Sequence, residues 1–343
     1  MELNVDKKVR KCQPLRVGLC LARSKREKLK LPSSIFQLCQ DNNIEIIDID
    51  LEAPLDAQGP FDTILHKILE FRGEDKEKGE IYKDKFIQYI SNHKMRLIDP
   101  VSTCELLTNR FQTMDAVTRC EFSSRIGKRV FVPKFCYLED LEDNSATTEK
   151  IISSSGLVYP IIVKHFMAAS FGKVAHEMSI IFGPEGLNDI KTPCFLQQFH
   201  NHDGYMVKIY TVGTHFYLCK RPSIKDLFPG NYPTIHFHSG NISKRGKQSP
   251  LHSSGSGETN VVNNDPKLLE EDVVNELLQR LKREFEFTLL GIDVIIDKNT
   301  GNYGIIDINY FPGYDGVKEL FQKDLVHLLL ETGKPSQNFQ SSH

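Results

Sequence analysis

Several things are missing from this chain, and each absence narrows what it can be. With 43 Lys and Arg against 45 Asp and Glu, its 343 residues carry a formal net charge of −2. There is no bulk electrostatic pull toward nucleic acid or an anionic membrane, and a small anion would need a local cluster of cations. No stretch approaches the ~20 consecutive apolar residues of a membrane helix, and segment 1–8 lacks the apolar core of a signal peptide. The eight cysteines are scattered without Cys-x-x-Cys spacing, which argues against a zinc site or disulfide framework and for reduced thiols in the cytosol. Neither Gly-x-x-x-x-Gly-Lys-Ser/Thr nor Gly-x-Gly-x-x-Gly occurs, so a P-loop or dinucleotide-binding turn is not indicated. No internal repeat is found.

What remains is the composition of a soluble globular protein, 40% hydrophobic and 26% charged, and its length suggests two or three domains. The most informative segments are Gly291-Ile292-Asp293-Val294-Ile295-Ile296-Asp297 and Ile305-Ile306-Asp307-Ile308-Asn309, joined by the turn signal Lys298-Asn299-Thr300-Gly301-Asn302. They predict a β-hairpin. Asp307 and Asn309 lie two apart and so share a face of their strand. If Asp293 joins them, two carboxylates and an amide offer only oxygen ligands, which suits Mg²⁺ shared with substrate phosphates. Either acid alone is more readily a strand-ending or turn-capping residue. Together, inside apolar strands, they call for pairing or a metal.

Alternating strand and helix patterns over 15–21, 33–42, 44–49, 61–66, 83–91 and 97–100, with a helix starting near 102, predict a parallel α/β unit. A second unit opens with a helix over 109–126, followed by 130–133, an acidic turn-and-helix stretch at 138–149, and strands at 158–164 and 194–199. A third begins with a meander at 205–212 and 215–220. It continues through a polar, mobile segment at 239–265, a helix over 266–286, the acidic hairpin and a last helix at 316–330. The division expected is a tail at 1–14, an α/β domain at 15–108, α+β subdomains at 109–204 and 205–331, and a tail at 332–343.

Lys164 ends one apolar strand and Lys208 lies within another. Singly, each is more readily an edge or snorkelling side chain. Between them come a small-residue stretch, Met167-Ala168-Ala169-Ser170-Phe171-Gly172-Lys173, and the polar strand end Gln197-Gln198-Phe199-His200. The order is strand-lysine, loop, polar-ended strand, strand-lysine, long loop, Asp strand and Asp-x-Asn strand. It resembles the ATP-grasp superfamily, in which two α+β subdomains clamp ATP.

Longer motifs sharpen the resemblance: Gly59-Pro60-Phe61-Asp62-Thr63-Ile64-Leu65-His66-Lys67, His176-Glu177-Met178, Arg221-Pro222-Ser223, Asn241-Ile242-Ser243-Lys244 and Asp307-Ile308-Asn309-Tyr310-Phe311-Pro312-Gly313-Tyr314. From about residue 17 to 330 the chain resembles the inositol-tetrakisphosphate 1-kinase (inositol 1,3,4-trisphosphate 5/6-kinase) family. The resemblance implies an ATP-dependent kinase of soluble inositol polyphosphates using two Mg²⁺ ions; composition points to a cytoplasmic protein without nucleic-acid or membrane partner, and the lack of a long exposed heptad makes a monomer the default. It implies Asp293, Asp307 and Asn309 as metal ligands, with Lys208, Asp307 and Asn309 as the catalytic set. Arg110, Lys164, Gln197, Gln198, Phe199, His200, Lys208, Ser223, Ser239 and Ser243 are implied to bind ATP. Lys25, Lys67, Phe171, Gly172, Lys208, Asn309 and Gly313 are implied to meet the inositol phosphate. Phe171 departs from the family, which carries histidine there, and phenylalanine neither donates to a phosphate nor carries charge. An ATP-grasp carboxylate ligase is the alternative enzyme, against which the basic residues Lys25 and Lys67 argue. A non-catalytic binding protein is the other alternative, suggested by Phe171.

Overall fold

A computed structural model describes residues 13–73, 75–93, 95–140, 145–168, 174–243, 246–247, 249–253 and 268–333. Phe171 and Gly172 lie outside the described residues, as do most of both expected tails and much of the polar segment at 239–265.

The first sheet is parallel throughout. Its strands β1 (Leu15–Cys20), β2 (Ile44–Asp48), β3 (Thr63–His66) and β4 (Arg96–Ile98) stand in the order β2-β1-β3-β4. Central β3 is buried along its whole length, as a strand of a covered parallel sheet should be. Helices α1 (Arg23–Leu29), α2 (Phe36–Asp41) and α3 (Lys76–Asn92) alternate with these strands. The helix expected at 83–91 is only the second half of α3. Its first turns, Lys76-Glu77-Lys78-Gly79-Glu80, have no apolar period to betray them, but the Asp75 side chain accepts from the Lys78 N–H and caps the start. Helices α4 (Val101–Leu106) and α5 (Arg110–Thr118) follow.

The helix expected over 109–126 stops at Thr118. Beyond it, β5 (Phe122–Ser123) and β6 (Arg129–Phe131) pair across a turn at Gly127, whose φ of +79° favours glycine. Next come β7 (Phe135–Leu138), helix α6 (Ser145–Ser154), β8 (Ile161–His165), β9 (Glu177–Ile181), β10 (Cys194–Gln198), β11 (Tyr205–Val212), β12 (His215–Pro222) and β13 (Ile235–His238). After helices α7 (Ser239–Ile242) and α8 (Glu271–Glu284), the chain forms β14 (Leu290–Ile296), β15 (Tyr303–Tyr310) and helix α9 (Lys318–Gly333).

The second sheet is antiparallel in the order β13-β9-β8-β10-β7, and the third is β12-β11-β14-β15-β6-β5. The expected division at residue 205 is therefore crossed twice. Strands β5 and β6 belong to the third sheet through a parallel pairing of β6 with β15, and β13 returns to the second by pairing with β9. Short strands such as β7, β9 and β13 carry too little pattern to announce themselves in sequence. In α8 the residues Val273, Val274, Leu277, Leu278 and Leu281 are all buried, as their helical spacing predicts. Among the described residues no helix is long and apolar enough to cross a membrane.

One continuous apolar core joins the first and third sheets, while a separate cluster lies within the second. A buried carboxylate stitches the joined pair. Asp99, just after β4, accepts from the Thr288 N–H (2.7 Å), the Thr288 hydroxyl (2.5 Å) and the Leu289 N–H (3.0 Å) at the entry to β14. Asp99→Ala strands those donors and is expected to cost roughly 3 kcal/mol of stability. Urea unfolding checks this, and a shift near zero would contradict it.

Candidate active site

A cleft of about 820 Å³ lies between the second and third sheets, and α1 with the end of β3 closes one extremity. Every described residue named above as a site residue lines it, so a set spread over almost 290 positions of sequence converges on one cavity.

The acidic hairpin forms the floor. Asp293 and Asp307 are directly paired across β14 and β15, and the register shifts just after Asp293. Lys208 on β11 pairs with Asp293 on the other side, and its ammonium is 2.7 Å from Asp293 Oδ1, an ion pair without hydrogen-bond alignment. Burial opposes the Lys208 charge, but the adjacent Asp293 carboxylate outweighs it and raises the lysine above its ordinary range. Asp307 Oδ1 lies 3.7 Å from Arg110 Nε, and its Oδ2 accepts from Asn309 Nδ2 at 3.1 Å. Burial pushes the Asp307 carboxyl up, yet Arg110, Lys164 and Lys208 together hold it below its ordinary value. The floor thus carries an Asp307 carboxylate kept charged by surrounding cations.

Among the described residues no three His, Cys, Asp or Glu side chains gather as metal ligands. The relevant set is two carboxylates and one amide. That all-oxygen set fits a hard ion such as Mg²⁺, which completes its shell with water and phosphate. The Asn309 N–H already serves Asp307, which leaves the amide oxygen to face a cation.

Above this floor, Lys164 on β8 donates to Gln197 Oε1 (2.7 Å) and to the Ile306 carbonyl (2.8 Å). Among the described residues, Gln197 Nε2 and Arg110 Nε are buried without a hydrogen-bond partner. Two donors without protein acceptors in a cleft are what an anionic or heteroaromatic ligand would satisfy. The rest of the Arg110 guanidinium donates to the carbonyls of His165 (2.6 Å), Met167 (2.8 Å) and Ala175 (3.3 Å), and so holds both ends of the small-residue loop.

Burial lowers Lys164 to about 8, with the Arg110 charge adding to the fall and Asp307 opposing it. A triphosphate prefers the ammonium form. With Lys164 on the phosphates, as the resemblance implies, ATP affinity is expected to weaken as pH rises through that value, by up to about tenfold per pH unit. Calorimetric titration at successive pH values checks this. Lys164→Arg stays charged and should flatten the profile; an equally steep profile in that variant would contradict the assignment.

At the end of β10 the polar run divides its labour. Gln198 accepts from the Val158 N–H (2.7 Å) and donates to the Phe199 carbonyl, so its side chain serves the backbone instead of a ligand. His200 Nδ1 meets Asp297 Oδ2 at 2.8 Å, and Asp297 Oδ1 caps the hairpin turn through the N–H groups of Asn299 and Thr300. His202, whose burial lowers its pKa, bridges Ser223 Oγ (2.7 Å) and the His200 carbonyl (2.6 Å). Ile162, Met206, Ile224 and Ile295 supply an apolar slot. Ser239 Oγ is 3.2 Å from His176 Nδ1, and Ser243 donates to the Ser239 carbonyl.

At the opposite end Lys25 has a second task besides lining the cleft. Its buried ammonium donates to the carbonyls of Phe311 (2.5 Å) and Pro312 (2.7 Å) and lies 4.2 Å from the centre of the Phe311 ring. Burial first, then the Lys67 charge, pushes its pKa well below the usual lysine range. It braces the segment that carries Gly313. Lys67 Nζ is 3.5 Å from Glu70 Oε1 and 5.0 Å from the Tyr310 ring centre. A Cβ at Gly313 would fall 2.3 Å from Lys28 Cε, so glycine here admits a flexible lysine. Lys28, Arg221 and Glu70 are among the cleft residues that escaped the sequence reading. Lys28 sits one helical turn beyond Lys25, a spacing that could have flagged it. Arg221 stands in the Arg-Pro-Ser motif and bonds Tyr210 Oη (3.1 Å) and the Asp315 carbonyl. Glu70 gave no signal, since acids are not sought in an anion site.

Comparisons with known proteins agree with this geometry. Residues 16–103 match the family model described as the inositol 1,3,4-trisphosphate 5/6-kinase pre-ATP-grasp domain, and residues 124–331 match the ATP-grasp domain of the same family. The chain is 33% identical over 334 residues to an inositol-tetrakisphosphate 1-kinase of Xenopus laevis, covering 95% of this chain and 81% of that protein. It is 34% identical over 321 residues to an inositol-tetrakisphosphate 1-kinase of Danio rerio, covering 91% and 78%. Among solved structures, it superposes on a RiPP-associated ATP-grasp ligase of Chryseobacterium gregarium with a TM-score of 0.58 at 13% identity, over 94% of this chain and 98% of that one. D-alanine–D-alanine ligase of Bacillus anthracis gives 0.56 at 10% identity, over 93% and 97%. These structural likenesses establish the ATP-grasp fold.

Proposed function

The chain belongs to the inositol 1,3,4-trisphosphate 5/6-kinase family of ATP-grasp proteins, and from that premise we propose how its residues carry out phosphoryl transfer from ATP to a ring hydroxyl of a soluble inositol polyphosphate. Phosphoryl transfer demands positioning and charge neutralisation more than covalent chemistry. Arg110 and Lys164 hold the phosphate chain of ATP, Gln197 and the strand end through His200 receive the adenine, and Ser223, Ser239 and Ser243 reach the ribose and phosphates. Lys208 neutralises charge at the transferring group. Lys25, Lys67, Asn309 and Gly313 form the acceptor end, where Lys25 also braces Phe311 and Pro312. Asp293, Asp307 and Asn309 would hold Mg²⁺, two ions in this reading, which when bound supplies charge neutralisation on the phosphates. No side chain is assigned as general base, because a sugar hydroxyl can lose its proton late in a loose transition state.

The observation that carries this reading is the shared cleft: paired acids ringed by Lys208, Lys164 and Arg110 at one end, and a second group of lysines at the other. Two polyanions can then be held side by side. The reading extends to a cytosolic monomer without nucleic-acid or membrane partners, in keeping with a net charge of −2.

ATP consumption tested with inositol polyphosphates and, separately, with amino acids distinguishes the kinase from a carboxylate ligase. Turnover is expected with the former alone. ATP bound but consumed with neither would support a binding protein. Because Phe171 replaces the family histidine, Phe171→His is expected to lower KM for the inositol phosphate. An unchanged KM would argue against any role for that position.

A further inference from the structure

A carboxylate stands at the cationic end of the cleft, where a pure polyanion site has no use for one. Glu70 lines the cleft beside Lys67, close enough to Lys25 to influence its charge. It sits in a 3₁₀ turn, Ile68–Gly73, that follows β3. Buried Ile68 and Leu69 and a 3.0 Å bond from the Glu70 N–H to the Lys67 carbonyl fix that turn. Among the described residues, one carboxylate oxygen approaches a cation, at 3.5 Å from Lys67 Nζ. The other, Oε2, is buried without a hydrogen-bond partner. The neighbouring Lys25 ammonium directs two of its three N–H donors to the Phe311 and Pro312 carbonyls, and among the described residues none reaches Glu70 Oε2.

We propose that Glu70 is a specificity-determining residue that accepts a hydrogen bond from a free ring hydroxyl of the acceptor and excludes a phosphate at that ring position. The inference rests on the inositol-phosphate reading of this cleft. A phosphorylated inositol presents only two kinds of ring substituent. A hydroxyl is a donor and satisfies the orphaned oxygen; a phosphate is an anion and meets like charge. Discrimination of this kind works by penalising the wrong ligand as much as by favouring the right one. The lysines bind phosphates wherever the ring offers them, and Glu70 states where one is not allowed.

The test compares wild type with Glu70→Gln, which keeps the shape and removes the charge, at fixed ATP over inositol phosphates bearing increasing numbers of phosphates. Glu70→Gln is expected to raise kcat/KM for the more phosphorylated acceptors at least tenfold relative to the less phosphorylated ones, through KM, with KM for ATP unchanged. Calorimetric binding of inositol hexakisphosphate, whose ring has no free hydroxyl, should tighten by a similar factor in Glu70→Gln and in Glu70→Ser. An equal gain for every acceptor would make Glu70 a mere counterion to the lysines and overturn the inference. So would a fall in kcat with selectivity unchanged. A wild-type protein inactive on all the inositol phosphates would overturn the kinase reading and this inference with it. An active wild type with unaltered selectivity in both variants would sink the Glu70 assignment alone.

Discussion

Asp307→Asn is expected to lower kcat by about 10³-fold or more, equivalent to roughly 4 kcal/mol of transition-state stabilisation, while metal-free ATP binds more tightly than to wild type. The two effects have one cause. Asp307 is the acid shared by Arg110, Lys164 and Lys208, all of which hold its carboxyl below the ordinary range. Without its charge those three cations face the cleft with less to balance them, which favours a naked triphosphate. The same loss removes one of the two carboxylates available to a divalent ion, and productive turnover goes with it. Asparagine keeps the volume and can still pair with Asn309, so circular dichroism should show an intact fold. Single-turnover kinetics and titration with ATP in the presence of a chelator check the two halves. Full turnover would contradict the metal assignment; unchanged metal-free affinity would contradict the electrostatic one.

Lys208→Met is expected to reduce kcat by about 10²-fold or more, on the scale of losing one preorganised donor at about 3 kcal/mol. It should also cost a comparable amount of stability, because Asp293 loses the cation 2.7 Å away and stays buried. The stability loss should shrink when Mg²⁺ is added, since a cation on Asp293 offsets the missing ammonium, whereas the rate should not recover. Thermal unfolding with and without Mg²⁺, read beside kcat, checks this. A stability deficit untouched by Mg²⁺ would mean that Asp293 does not take a divalent ion.

The acidic hairpin was legible in sequence because its signals are local: β-branched runs, a turn rich in Asn and Gly, and acids where apolar residues belong. Helix α8 was legible for the same kind of reason, its five buried residues falling at helical spacing. Strands β5, β6 and β13 were not, because their places depend on partners far away in the chain. Two-residue β5 has no pattern of its own, and only its pairing with β6 and then β15 shows why residues 122–131 belong to the third sheet. Side-chain roles followed the same divide. Lys25 and Lys67 were reached through the family resemblance and not from any local pattern. That Lys25 spends its ammonium on two carbonyls 286 and 287 residues away depends on tertiary contact alone. Gln198 looks like a ligand in its polar run, yet its side chain is taken up by Val158.

The central claim is that Asp293, Asp307 and Asn309 grip a divalent cation in the presence of nucleotide. Its most direct test is binding of Mn²⁺, read by electron paramagnetic resonance, to wild type and to Asp293→Asn/Asp307→Asn with a non-hydrolysable ATP analogue present. Wild type should take up Mn²⁺ with at least tenfold higher affinity than the analogue alone provides, and the double variant should lose that gain. Equal Mn²⁺ binding by the two proteins would contradict the account.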